Sequence, residues 1–372
     1  MFVIANIRPL GHNVGNHAIN FALRNMIYDV FGRLVSIIDF PASSKYDSSS
    51  RAGLTPSVIH EINRFADGVI VGGGNLYENN EIDVDGQALK ALLPPLMLFS
   101  NSRGRIYDRK GHLSDRTDVI PDEKLISLIN RSDISLSRDS ATHEYIKRLC
   151  PTDMLGWCPT INLRQYRDRL PPLPDKETVG TLISVRTPTL MNIPYVYQSG
   201  VLNDVEEAID SLRELGHKRI RILCNDSRDL DFASAFRYTK KVDAIFTSDV
   251  YQYLGLLSGA DFVLSYRLHA TLPAIAFGTD VLNIVYDERS SSLCGDLGIE
   301  DSSLNLVSMG SGFKARLRDS LFSRATTVRR GDDPRSDWNE KSKFQFDQLR
   351  RFRLLMDDYL TSGYHSRHFR TG

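Results

Sequence analysis

The chain has 372 residues, enough for two domains that each bury a core, since single cores usually stop growing near ~250–300 residues. Its 46 basic and 46 acidic residues cancel, which removes the global field expected of a nucleic-acid binder and leaves room only for local charge sites. The four cysteines, Cys150, Cys158, Cys224 and Cys294, show no CxxC spacing and no paired histidine motif, so they argue against a zinc site and a disulfide scaffold and fit reduced thiols in a cytoplasmic protein.

MFVIANI at the start reads as a strand from Phe2, without the basic and apolar regions of a signal peptide, and no run of ~18 apolar residues predicts a membrane span. Short β-branched runs at 2–7, 34–39, 68–71, 96–100 and 134–137 alternate with helical patterns at 16–30, 57–66, 122–130 and 140–149. Such alternation predicts βαβ units and a parallel sheet covered on both faces. The proline-rich piece RDRLPPLPDKE, 167–177, breaks the pattern and reads as a linker, because stacked prolines neither donate to a sheet nor continue a helix.

A second series follows, with strands near 179–186, 219–224, 243–247, 261–265 and 281–285 and helices near 201–215, 249–258 and 268–277. The expected fold is therefore α/β, two Rossmann-like domains facing a cleft, over 1–170 and 177–330, with 331–372 as a C-terminal helix and tail. Phe344, Phe346, Leu349, Phe352, Leu355, Met356 and Tyr359 give that helix an apolar stripe. Packing against the body is the main expectation. A basic helix touching anionic lipid through Lys341, Lys343, Arg350, Arg351 and Arg353, at the inner face of a membrane, is the lesser one.

In an open α/β sheet, side chains just past the carboxyl end of a strand face the ligand crevice, and the following helix adds free N–H groups and a positive dipole end. SYRLHATLPA, 265–274, puts Arg267 and His269 at such a place. A guanidinium grips carboxylate or phosphate, and an imidazole exchanges a proton near neutral pH. Arg186 ends the first strand of the second half in the same way, so two cations could clamp one small dianion. A surface arginine paired with a carboxylate, and a histidine capping its own loop, are the plainer alternatives. Arg138, between a strand and a serine- or aspartate-capped helix, reads first as part of an Arg138–Asp139 turn bracing the cleft.

RPLGHNVGNHAI, 8–19, and VIVGGGNLYE, 69–78, are glycine turns that allow close backbone approach, yet neither has dinucleotide spacing nor a P-loop lysine. Gly73 and Gly74 belong to the second turn, and Asn13, Asn16, His17 and Asn75 are candidates to read sugar hydroxyls, with a cap or turn role the plainer reading of each one alone. In YENNEIDVD, 77–85, Glu78, Glu81, Asp83 and Asp85 suggest a solvated loop before they suggest a divalent-cation site, and no metal is expected.

Taken in order, GHNVGNHAI, GGGN, SRDSATHEYI, ISVR and LSGADFVLSYRLHATLPAIAFGTDVLNIVYDERS resemble the polysaccharide pyruvyl transferase family over about residues 3–290, the last block being the specific one. The resemblance implies two facing Rossmann-like domains of the GT-B-like type, with a C-terminal helix returning across the cleft. It implies transfer of pyruvate from phosphoenolpyruvate, without a cofactor, to two hydroxyls of a sugar, an oligosaccharide or a lipid-linked glycan, as in exopolysaccharide synthesis, giving a cyclic ketal. Carried over by position, Arg186, Arg267 and Leu268 would hold the donor and His269 would be the acid. Asn16 departs from the family, which often has an acidic residue after this glycine, and points to a changed acceptor side. A nucleotide-sugar glycosyltransferase on the same architecture, or a non-catalytic glycan-assembly protein, are the rival readings.

Overall fold

The computed structural model describes residues 1–45, 51–108, 110–172, 179–326 and 335–362. Its first half runs β1 (Phe2–Arg8), α1 (Val14–Phe31), β2 (Val35–Pro41), α2 (Pro56–Phe65), β3 (Gly68–Gly74) and β4 (Leu96–Asn101). A small antiparallel ribbon, β5 (Ile106–Tyr107) with β6 (Leu113–Ser114), precedes α3 (Asp122–Arg131), β7 (Ile134–Ser137), α4 (Ser140–Leu149) and β8 (Met154–Leu155). The large sheet is parallel throughout, in the order β2-β1-β3-β4-β7-β8. Every residue of β3 and β4 is buried, as a central strand covered on both faces requires, which is why both read as continuous apolar runs.

The second half repeats the plan with β9 (Thr181–Ser184), α5 (Tyr195–Gln198), α6 (Val201–Glu214), β10 (Ile220–Cys224), α7 (Leu230–Lys240), β11 (Asp243–Phe246) and α8 (Val250–Gly259). It continues through β12 (Phe262–Ser265), α9 (Leu268–Phe277), β13 (Asp280–Val285), α10 (Glu288–Asp296), β14 (Ser303–Asn305), α11 (Leu306–Met309) and α12 (Phe313–Thr326). This sheet is also all parallel, ordered β11-β10-β9-β12-β13-β14. Both orders reverse direction beside their first strand, and that reversal opens a crevice at the carboxyl ends of β1 and β9.

A 3₁₀ helix over Pro159–Arg169 occupies the start of the expected linker and packs against α1 and α9, so the chain leaves the first half through buried structure. Residues 173–178 of that linker lie outside the described residues, as do 46–50 of the serine-rich loop.

The last helix, α13 (Arg335–Thr361), starts against the second half, where Trp338 Nε1 donates to the Leu297 carbonyl at 3.0 Å. It ends on the first half. There Phe352 and Met356 lie so close to Gly68 that a Cβ at this residue would sit 2.9 Å from Phe352 Cζ and 2.7 Å from Met356 Sδ. Between the ends, the buried Gln345 accepts from Asn162 Nδ2 at 2.6 Å and donates to the Gly156 carbonyl at 2.6 Å. Leu349, Phe352 and Met356 are fully buried, so much of the apolar stripe faces the body of the chain. No helix among the described residues is long and apolar enough to cross a membrane.

Phe352→Ala should remove this contact and leave a cavity, costing about 3–5 kcal/mol, read as a lowered midpoint in chemical unfolding; an unchanged midpoint would show that α13 does not hold the halves together.

Candidate active site

Strand register brings the first two cations together. Ser184 of β9 pairs with Ser265 of β12, so Arg186 and Arg267, each two residues further on, emerge at the same height on adjacent strands. Tyr266 N donates to the Ser184 carbonyl at 2.7 Å and extends the ladder to that point. Ser265 Oγ then shapes the turn, donating to the Arg267 carbonyl at 2.8 Å and accepting from Arg267 N at 3.0 Å. Burial first, and the like charge of Arg267 second, push the Arg186 guanidinium down to about 10. Arg186 makes no hydrogen bond or ion pair among the described residues. Arg267 is 6% exposed, and its Nη1 stops 3.9 Å from Asp229 Oδ2, beyond hydrogen-bonding reach.

Arg267 is the N-cap of α9, and all ten residues of that helix are buried. Pro273 inside it lacks an N–H, which leaves the His269 carbonyl, four residues earlier, without its usual helical donor. Tyr253 supplies the replacement: its hydroxyl donates to that carbonyl at 3.1 Å and accepts from Asn225 Nδ2 at 2.8 Å. Asn225 Oδ1 in turn accepts from Ser184 Oγ at 2.8 Å. A continuous hydrogen-bonded chain therefore fixes the first turn of α9 relative to the end of β9.

The first half reaches His269 through Arg138. This arginine is fully buried just past β7, its Nη2 donating to Asn75 Oδ1 at 2.7 Å and its Nη1 lying 3.3 Å from His269 Nε2. A guanidinium can only donate, so His269 Nε2 accepts and the imidazole is neutral, with its proton on Nδ1. Burial, followed by Arg138, Arg289 and Arg267, drives the His269 pKa well below its ordinary value. In these surroundings the imidazole is a neutral acceptor, and the acid role that the family resemblance implies would need its pKa to be raised. Gly15 permits the close approach, because a Cβ there would lie 2.5 Å from His269 Cβ and 2.8 Å from Nδ1.

Arg289, just inside α10, is the cation that the sequence reading passed over. Its Nη1 donates to Glu78 Oε2 at 3.1 Å and its Nη2 to Asp287 Oδ2 at 2.7 Å. Burial opposes its charge, but Asp287 and Glu78 more than offset that and raise its pKa. Glu78 is 1% exposed and its pKa is raised by burial, with Arg289 opposing the rise. Its only sequence signal was an acidic side chain after a glycine turn. Expected as part of a solvated loop, Glu78 is instead a buried strut between the halves, also accepting from Asn192 Nδ2 at 3.2 Å.

The remaining candidates have local partners. Asn13 caps α1 by accepting from Gly15 N at 3.0 Å. His17 Nδ1 lies 3.3 Å from Arg8 Nη1, and burial and that arginine lower its pKa. Gly73 and Gly74 adopt positive φ, 50° and 121°, which a side chain would strain. Asn16 makes no side-chain hydrogen bond among the described residues; its Oδ1 is 3.9 Å from where a Gly74 Cβ would stand. Leu268 is 7% exposed and belongs to the main core. Asp83 accepts from Ser43 Oγ and Ser44 N, and Asp85 from Gln87 N and Ala88 N, so these carboxylates fasten loops.

The family model for polysaccharide pyruvyl transferase matches residues 13–288, which contain every side chain just described except Arg8 and Arg289. The chain belongs to the polysaccharide pyruvyl transferase family. No curated protein matches it in sequence. Among solved structures it is similar to the UDP-GlcNAc 2-epimerase of Neisseria meningitidis bound to UDP-GlcNAc, with 11% identity, TM-score 0.56, and 94% of this chain and 99% of that chain covered. It is also similar to UDP-N-acetylglucosamine 2-epimerase from Rickettsia bellii, with 15% identity, TM-score 0.54, and coverage of 97% and 98%. Identities this low carry the fold alone, which is GT-B-like: two parallel-sheet halves around a cleft.

For this pyruvyl transferase family member, the depressed His269 pKa has a sign that can be checked. The folded value lies below that of the unfolded chain, so the contribution of His269 to stability is present above the ordinary histidine value and is lost as pH falls. Thermal melts taken between pH 7 and pH 5 should decline more steeply for the wild type than for His269→Gln; equal slopes would show a freely titrating imidazole.

Proposed function

We propose that this chain transfers pyruvate from phosphoenolpyruvate to two hydroxyls of a saccharide, releasing phosphate and leaving a cyclic ketal. Family membership supports polysaccharide pyruvylation in general. The observation that supports this donor is the pair Arg186 and Arg267 at adjacent strand ends, one with no partner and one with a distant carboxylate, beside an imidazole at a helix N-terminus. A compact anion bearing both phosphate and carboxylate suits two such guanidinium forks.

In this reading the donor recharges the site. Its negative groups offset the field of Arg138, Arg267 and Arg289, raise the imidazole pKa, and let His269 take up a proton. His269 then protonates the methylene carbon of the donor, making C2 electrophilic. One sugar hydroxyl adds at C2, the C2–O bond to phosphate breaks with support from Arg186 and Arg267, and the second hydroxyl closes the ring. The two hydroxyl protons balance the one given to carbon and the one carried away on phosphate. Asn16, with its amide free of side-chain bonds, faces the acceptor side.

Donor binding should therefore take up about one proton per site near neutral pH, measured by calorimetry in buffers of different ionisation enthalpy. His269→Ala should abolish this uptake while phosphoenolpyruvate still binds, and uptake that persists would assign the proton to another group.

Incubation with phosphoenolpyruvate and a panel of saccharides, followed by mass spectrometry, tests the reaction itself. The wild type should add the pyruvyl mass to one acceptor, His269→Ala should lose at least about a hundredfold in rate, and Arg267→Ala should chiefly weaken donor binding. Stabilisation by UDP-sugars in place of phosphoenolpyruvate in a thermal shift assay would favour nucleotide-sugar transfer, which rests on fold likeness alone.

A further inference from the structure

A cleft of about 650 Å³ opens on the seam between the two halves, lined by α4, by the chain segment after β4, and by Glu288 at the start of α10. Its size falls within the ~300–1,000 Å³ usual for small-ligand sites. Residues 103–105, which line it through Arg103 and Arg105, form a partition toward Arg289, since a Cβ at Gly104 would sit 2.8 Å from Arg289 Cβ.

The wall is cationic and ordered. Arg103 lies flat on the Tyr145 ring, 3.5 Å from its centre, and is held by Asp115 at 2.9 Å. The Tyr145 hydroxyl is fixed by Asp122 at 2.8 and 2.9 Å. Arg105 Nε contacts both oxygens of Glu288 at 3.0 Å, so the two halves meet in an ion pair on the floor. Two of the three lining carboxylates are thereby engaged. Lys147 and Arg148, both exposed on one turn of α4, have no ion pair among the described residues; Arg148 Nε donates to the Glu144 carbonyl at 3.2 Å and its guanidinium lies 5.4 Å from the Tyr145 ring centre, and Glu144 is the remaining carboxylate of the lining. A glutamate alone does not balance two cations, and the cleft keeps a positive excess.

We propose that this cleft binds an anionic group, carboxylate or phosphate, carried by the saccharide acceptor, and that Lys147 and Arg148 are its principal charge contacts. The proposal rests on the pyruvyl transfer reading for the word acceptor, and on the cleft alone for the word anionic. A glycan crossing the partition would place one residue at His269 and a neighbouring charged one here, so acidic acceptors would be selected over neutral ones.

The test uses the full chain with phosphoenolpyruvate at saturation, so that the central arginines are occupied, and three probes: hexagalacturonate, neutral cellohexaose and inorganic diphosphate. Calorimetry should show hexagalacturonate or diphosphate binding, weakened at least tenfold in Lys147→Glu/Arg148→Glu, strengthened in Glu144→Gln and reduced by salt, with cellohexaose binding far more weakly. Which anion binds tighter tells carboxylate from phosphate. Equal hexagalacturonate and diphosphate affinity in wild type and charge-reversed protein, or equal affinity for cellohexaose and hexagalacturonate, would overturn the proposal. Should phosphoenolpyruvate itself fail to bind while the anions still depend on Lys147 and Arg148, the cleft stands and the donor reading falls.

Discussion

One contact ties the two halves into a site: the fully buried Arg138 of the first half, 3.3 Å from His269 of the second. A guanidinium removed from water is costly unless its N–H groups are received, and among the described residues Asn75 and the imidazole receive them by side chain. That requirement sets the charge on His269. An imidazole that accepts from an arginine stays unprotonated, and in the proposed reaction its proton would come only with the anionic donor.

Further hydrogen bonds hold the flanks of this arrangement together. Val14 N donates to the Asn225 carbonyl at 2.9 Å, so the start of α1 is pinned to the residue that also anchors Tyr253 and Ser184. On the other flank, Ser140 N donates to Asp296 Oδ2 at 2.7 Å, and Glu78 with Arg289 bridges the centre. Beside these polar links, one apolar cluster runs through both halves, with Phe21 of α1 meeting Tyr251 of α8 edge to face at 5.4 Å. α13 adds packing of its own to that join, from Trp338 at the second half to Phe352 and Met356 at the first.

Much of this was readable along the chain because the physics is local. Alternating β-branched runs and helical stripes indicate parallel sheets whatever the rest of the molecule does, and the carboxyl end of a strand followed by a helix is a place where ligands bind in this class. Arg186, Arg267 and His269 were visible for that reason. Arg289 was not, since an arginine two residues after a helix-capping aspartate looks like any surface cation until Glu78, 211 positions earlier in sequence, is folded against it. Asn13 does cap a helix, the plainer of its two readings, whereas the role of Asn75 was hidden, because an amide reads the same in sequence whether it caps a turn or receives a buried guanidinium.

The sequence by itself determined the two α/β halves, their family, and the strand ends that carry charge, because periodicity and strand-end position depend on neighbours a few residues apart. Folding alone settled that His269 is neutral and that Glu78 is a buried strut. Charge state and burial are set by whichever groups come near in space, and here those groups arrive from opposite halves of the chain.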